Sequence, residues 1–122
     1  MTLRTALALA AALLAATASG QGMRADDTLF DAATLSDLLA GTTLEFHDDS
    51  RARYGAGGAY EYRYRPGDPP FRGTWETDDS AVCVTFDNGF DRCDTIVRAA
   101  GRLVLITAEG LRFPVRLQRP NR

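Results

Sequence analysis

His47-Asp48-Asp49 is where the sole imidazole of this sequence stands beside carboxylates. Such a trio could supply a general base with an orienting acid, or contribute to a metal site. A zinc site would want a separated partner His or Cys, and none accompanies His47. Neighbouring residues of a strand also point to opposite faces. The plainer reading is a strand end entering an Asp-rich turn. Asp-Asp-Ser recurs at 78–80, again ahead of a strand. Clustered carboxylates suit calcium, but the spaced EF-hand ligand pattern is missing, and Asx turns account for both copies. No metal and no cofactor are expected.

Tyr60, Tyr62 and Tyr64 alternate with Glu61, Arg63 and Arg65, and Trp75 follows on the next segment. Aromatic rings with polar tips could line an apolar ligand pocket. They also suit a sheet interior, which is preferred because a domain with eleven aromatic residues needs these four to fill it. Arg51, Arg53, Arg63, Arg65 and Arg72 would gather on the outer face of consecutive strands. That makes a cationic patch able to meet a carboxylated or otherwise anionic envelope polymer. Its plainer alternative is a solvated face balanced by Glu45, Glu61 and Glu76. Gly-rich phosphate loops, the G-x-S-x-G elbow and a Cys-His nucleophile pair are all missing.

All fourteen basic residues are Arg, which leaves out Schiff-base lysines and the phosphate-binding lysine of nucleotide loops. After residue 20, thirteen arginines face sixteen acids, a net charge of −3. Nucleic-acid binding rests on concentrated positive charge and is not expected.

The elements that must hold these groups begin with an export signal. Arg4 precedes an Ala/Leu run of about 12 residues, and small residues close it, with cleavage expected after Ala18 or Gly20. The run is too short for a bilayer span, which takes roughly 20 apolar residues. Residues 1–20 therefore read as a signal peptide, leaving a periplasmic or secreted chain with no stable membrane anchor. Residues 21–33 read as a flexible N-terminus and 34–119 as a single β-rich domain. Thr34 is expected to cap a short helix, with Asp37 at the capping-box position and Gly41 as its stop. Two turns cannot stand alone, so the Leu35, Leu38 and Leu39 face must cap something.

Beyond Gly41, short segments alternate with turn clusters, the pattern of an all-β barrel or sandwich. Strands are expected near 42–47, 51–55, 59–65, 71–77, 81–86, 90–98, 102–107 and 111–118. The fold class is thus a small antiparallel barrel or sandwich of about eight short strands with one short N-terminal helix. Val82, Val84 and Phe86 form a period-2 set, as do Leu111, Phe113, Val115 and Leu117. Leu103 to Ile106 is apolar throughout, so that strand is central or covered on both faces.

If Asp87-Asn88-Gly89 is a three-residue hairpin loop, Phe86 faces Phe90 and Cys83 falls directly opposite Cys93. Opposed residues there lie about 4.5 to 5.5 Å apart, within disulfide range. An oxidising compartment lets such a bond persist, and the spacing is not that of a redox C-x-x-C pair. The expectation is a structural disulfide rather than two free thiols.

Leu38-Leu39-Ala40-Gly41-Thr42-Thr43-Leu44, the Gly- and Tyr-rich segment after it, Gly73-Thr74-Trp75, and the hairpin from Val82 to Cys93 follow in an order that resembles short exported bacterial proteins of unknown function. Those have a leading helix and a two-Cys β-hairpin domain. The resemblance spans about residues 35 to 117 and implies fold and compartment; it carries over no catalytic residue. In size and layout the chain is also similar to periplasmic lysozyme inhibitors, which are small disulfide-containing β-barrels. The function expected is a non-catalytic binding or inhibitory module of the cell envelope. Its partner would be an envelope protein or an anionic polymer, met through the Arg-bearing face or the aromatic end. The alternative is a small periplasmic hydrolase using carboxylates with His47.

Overall fold

The computed structural model describes residues 21–122, and the expected signal peptide, residues 1–20, lies outside the described residues. A two-residue strand β1 (Thr28–Leu29) leads into helix α1 (Ala32–Leu39). Eight longer strands follow: β2 (Thr42–Phe46), β3 (Arg51–Tyr54), β4 (Ala59–Arg63), β5 (Phe71–Asp78), β6 (Ala81–Phe86), β7 (Asp91–Ala99), β8 (Arg102–Ile106) and β9 (Arg112–Pro120). Each of these pairs antiparallel with the next, and β9 returns to pair with β2. The sheet closes on itself as an eight-stranded barrel rather than a sandwich. Closure leaves none of the eight with a long unpaired edge.

Period-2 alternation builds the interior. Leu44, Phe46, Tyr54, Tyr60, Val82 and Val84 point inward, with Trp75, Ile96, Leu103, Leu105 and Val115 completing one buried cluster. At Gly73 the β5 backbone runs so close to β6 that a Cβ would collide with the Thr85 carbonyl. Only glycine fits that approach.

The helix starts three residues before the sequence pattern places it. Asp31, not Thr34, is the N-cap, and its carboxylate accepts the Thr34 amide at 2.8 Å. Asp is the stronger cap of the two, and the added residues bring Leu35 and Leu39 fully into the core. Gly41 ends the helix with φ 73°. Because β2 starts, β3 ends and β5 ends at the same rim, the contacts of α1 with β2 and β5 place the helix as a plug in that end.

Residues 21–33 are docked rather than loose. β1 pairs with β7 beyond the point where β6 leaves it, Thr28 facing Arg98 and Leu29 facing Val97. Met23 packs on Val97, Val104 and Ile106, which point out of the barrel from β7 and β8. This cover explains the apolar run of β8: its strand is buried inside by the barrel and outside by the N-terminal segment. Arg112 locks the segment down, forking onto Asp27 at 2.7 and 2.8 Å.

In β9 the expected face Leu111, Phe113, Val115, Leu117 is broken. The pairing with β2 shifts between Glu45 and Phe46, so that Phe46 faces Val115 but Glu45 faces Leu117. One extra residue in β9 makes a bulge, and a one-residue slip moves later side chains to the other face. Leu117 therefore lies outside and is exposed, as is Leu111 at the strand's approach.

Candidate functional site

The barrel end opposite the helix stays open. Four turns surround it, those joining β2 to β3, β4 to β5, β6 to β7 and β8 to β9. Inside lies a recess of about 240 Å³ bounded by Tyr60, Tyr62, Leu105 and Phe113 among others. It opens onto a shelf of about 710 Å³ beside Phe71, Phe86 and Phe90. Eight-stranded barrels have interiors just wide enough to be filled by side chains or to hold one small ligand. Here the plugged end is filled and the open end is not.

The lip of this mouth is apolar and unpaired. Tyr64, Phe71, Phe90 and Leu111 are all exposed, Phe90 most at 74 %. The rings form two chains, one in the core and one at the lip. Trp75 meets Tyr54 edge-on at 5.4 Å and Tyr54 meets Tyr60 at 5.3 Å. Further out, Tyr62 meets Tyr64 at 4.9 Å and Tyr64 meets Phe71 at 5.7 Å, both edge-to-face. Such contacts hold exposed rings in fixed places.

Arg92 and Asp94 stand two residues apart on β7 and so share its inward face. Arg92 Nε and Nη2 donate to the two Asp94 oxygens, both at 2.9 Å. Both residues border the recess and the shelf. Burial works against the guanidinium charge, but the bonds to Asp94 outweigh it and hold the Arg92 pKa above its ordinary value. Burial likewise pushes the phenols of Tyr54, Tyr60 and Tyr62 up, so all three are neutral hydrogen-bonding groups at physiological pH.

The expected aromatic set divides along its length. Tyr60 and Trp75 are core residues, with the Trp75 indole donating to the Gly55 carbonyl at 2.9 Å. Tyr62 is half-buried at the mouth and Tyr64 lies on its lip. Among the arginines, Arg51, Arg53 and Arg63 do converge, on the outer face of β3 and β4, and Arg119 and Arg122 join them. Arg72 stands at the side of that group with Glu61 at 3.1 Å, while Arg65 sits in the turn after β4.

His47, Asp48 and Asp49 form the exposed turn between β2 and β3. Asp48 accepts the Ser50 amide at 3.0 Å and the Ser50 hydroxyl, and the latter bond holds its carboxyl below the usual value. Asp49 is engaged by Arg116 at 3.0 Å. His47 lines neither the recess nor the shelf. At the second Asp-Asp-Ser, Ser80 is buried, accepts the Phe30 amide and donates to the Ile96 carbonyl, which ties β1 to the barrel. Among the described residues no group of three His, Cys, Asp or Glu side chains is placed to hold a metal ion.

Cys83 and Cys93 face each other on β6 and β7 and are bonded, with Cα atoms 4.1 Å apart. Gly89 takes φ 87° and its amide returns to the Phe86 carbonyl, the turn the hairpin register requires. A disulfide points to an oxidising environment. Among the described residues no helix is long and apolar enough to cross a membrane.

Arg92, Asp94, Phe71, Phe90 and Leu111 escape a reading of the sequence for sites. Arg92-x-Asp94 is the one available signal, because two opposite charges on the inward face of a strand have to answer each other. Comparison with known protein families, curated proteins and solved structures finds no match for this chain.

Proposed function

We propose that this chain is an exported, non-catalytic binding or inhibitory module of the cell envelope, working through the open end of its barrel. The observation that carries the reading is the exposed lip of Tyr64, Phe71, Phe90 and Leu111 around a mouth floored by Arg92 and Asp94. Contiguous exposed apolar surface rimmed by polar residues marks interaction sites, and aromatic residues are enriched in the cores of protein interfaces. The recess of about 240 Å³ is smaller than the roughly 300–1,000 Å³ of ligand pockets. It suits one side chain of a protein partner, with the shelf receiving the loop that bears it. The Arg92–Asp94 pair presents both a donor fork and an acceptor to that side chain.

Periplasmic or secreted placement belongs to the same proposal. It is supported by the signal-peptide pattern of residues 1–20 and by the disulfide. The test is affinity capture from envelope extract with the wild-type chain beside a Tyr64→Ser/Phe90→Ser variant. Both side chains are exposed, so the fold tolerates the change. A protein retained by the wild type and lost from the variant is the expected result. Equal recovery by both rejects the open end as the working surface.

A further inference from the structure

A second site lies on the outer wall, away from the mouth. Arg51, Arg53, Arg63, Arg119 and Arg122 line a basin of about 470 Å³ in which Glu61 is the one lining carboxylate side chain. Cross-strand register builds it: Arg119, Thr43, Arg53, Glu61 and Arg72 form one row across β9, β2, β3, β4 and β5. In the neighbouring row Glu45 faces Arg51 and Arg51 faces Arg63. The β9 bulge is essential, because it turns Arg119 outward over Glu45 instead of into the barrel.

The acids lie beneath the arginines. Side-chain exposure is 6 % for Glu45 and 25 % for Glu61, against 35 % for Arg51, 47 % for Arg53 and 46 % for Arg119. Glu45 is shared by Arg51 at 3.1 Å, Arg116 at 3.7 Å and Arg119. Arg51 Nε is buried against Glu45 without a hydrogen bond, so that contact is electrostatic and leaves the two terminal amino groups of Arg51 unengaged. Backbone oxygens brace other arginines: that of Asp68 accepts from Arg63 at 2.6 Å and that of Arg122 from Arg53 at 3.2 Å. Each guanidinium has five N–H donors, so most remain free while the fork is held in place. Restraint of this kind lowers the entropy cost of binding.

Direct opposition of Arg51 and Arg63 is a cost to the sheet, since like charges facing each other across strands repel. On a chain whose net charge after residue 20 is −3, this one face keeps its positive potential towards solvent. We propose that the basin binds a linear polyanion, a chain carrying repeated carboxylate or phosphate groups. Successive outward residues on a strand are about 6.6 Å apart and neighbouring strands about 4.8 Å apart, so several anionic groups of one chain are met at once. Arg forks fit carboxylate and phosphate alike.

The test titrates the purified full chain with polyphosphate and, separately, with polyglutamate, at low and at raised salt. Binding of either supports the site and identifies the anion's source. Affinity should fall steeply with salt, and Arg63→Gln and Arg53→Gln should each weaken it by about tenfold, the worth of one charged hydrogen-bonding group. Arg102→Gln, at the start of β8 and outside the basin, should leave it unchanged. Circular dichroism of each variant separates lost binding from lost fold, and Arg63, which has no carboxylate partner among the described residues, is the variant least able to unfold the chain. No binding of either polymer at low salt overturns the proposal, as does equal binding by Arg63→Gln and the wild type.

Discussion

Asp94 takes both bonds of the Arg92 fork at 2.9 Å inside the mouth of the barrel. Asp94 is buried while Arg92 reaches the opening, so the carboxylate anchors and the guanidinium is presented. Removing one partner leaves the other charge poorly solvated, whereas removing both with apolar groups of similar volume does not. Arg92→Met, which leaves the buried Asp94 carboxylate unpaired, should therefore destabilise the fold more than the double change Arg92→Met/Asp94→Leu. Urea melts of both variants check this, and a double variant less stable than the single one would contradict it.

The tyrosine stripe should show a gradient of stability. Tyr60→Ala empties a buried site and should cost about 3 to 5 kcal/mol, in line with large-to-small aromatic changes. Tyr62→Ala should cost less, since its ring is half-exposed at the mouth. Tyr64→Ala should stay within about 0.5 kcal/mol of the wild type, as exposed substitutions do. Denaturant melts of the three variants would reveal a flat series if the stripe were all core.

Acid should loosen the N-terminal segment first. The hydrogen bonds from Arg112 hold the Asp27 carboxyl below its ordinary 3.8. A depressed folded pKa gives stability that is complete above the unfolded value and is lost as pH falls through the folded one. The wild type should thus lose stability below about pH 4, and Asp27→Asn should lose less of it over the same window. Melts at neutral pH and near pH 3, monitored by Trp75 fluorescence, compare the two. Identical acid dependence would show that this pair contributes nothing.

Reduction of the Cys83–Cys93 bond should cost about 2 to 3 kcal/mol on the chain-entropy account for so short a loop. That corresponds to a fall in Tm of roughly 10 to 20 °C for a domain of this size, with the chain still folded at room temperature. Cys83→Ser/Cys93→Ser should reproduce the loss, and native protein should offer no alkylatable thiol. Cys93 borders the shelf, and serine is close to it in size, so capture at the mouth should survive the change at a temperature where the variant stays folded.

What was legible in the sequence follows from how local each feature is. The Cys83–Cys93 register needs only Asn88-Gly89 and counting outward, so it is readable from the hairpin alone. Closure of β9 onto β2 joins residues far apart in the chain, and period 2 cannot distinguish that from two stacked sheets. The apolar run Leu103 to Ile106 announces that something covers β8, but its cover, Met23 and β1, sits in a polar stretch with no period of its own. The β9 bulge is one extra residue, invisible in an alternating pattern. Missing it turns Leu117 the wrong way and hides Arg119 from the arginine cluster. The lip residues Phe90 and Leu111 read as ordinary strand starts, since only the folded barrel shows that its helix plugs the other end.

If the open end meets the partner, site-specific photo-crosslinking in living cells captures that contact where it forms. A photoreactive amino acid at position 90 stands on the lip, and one at position 102 stands at the start of β8, at the plugged end. A discrete crosslinked adduct is expected from position 90 and none from position 102. Adducts from position 102 with none from position 90 would contradict contact at the open end.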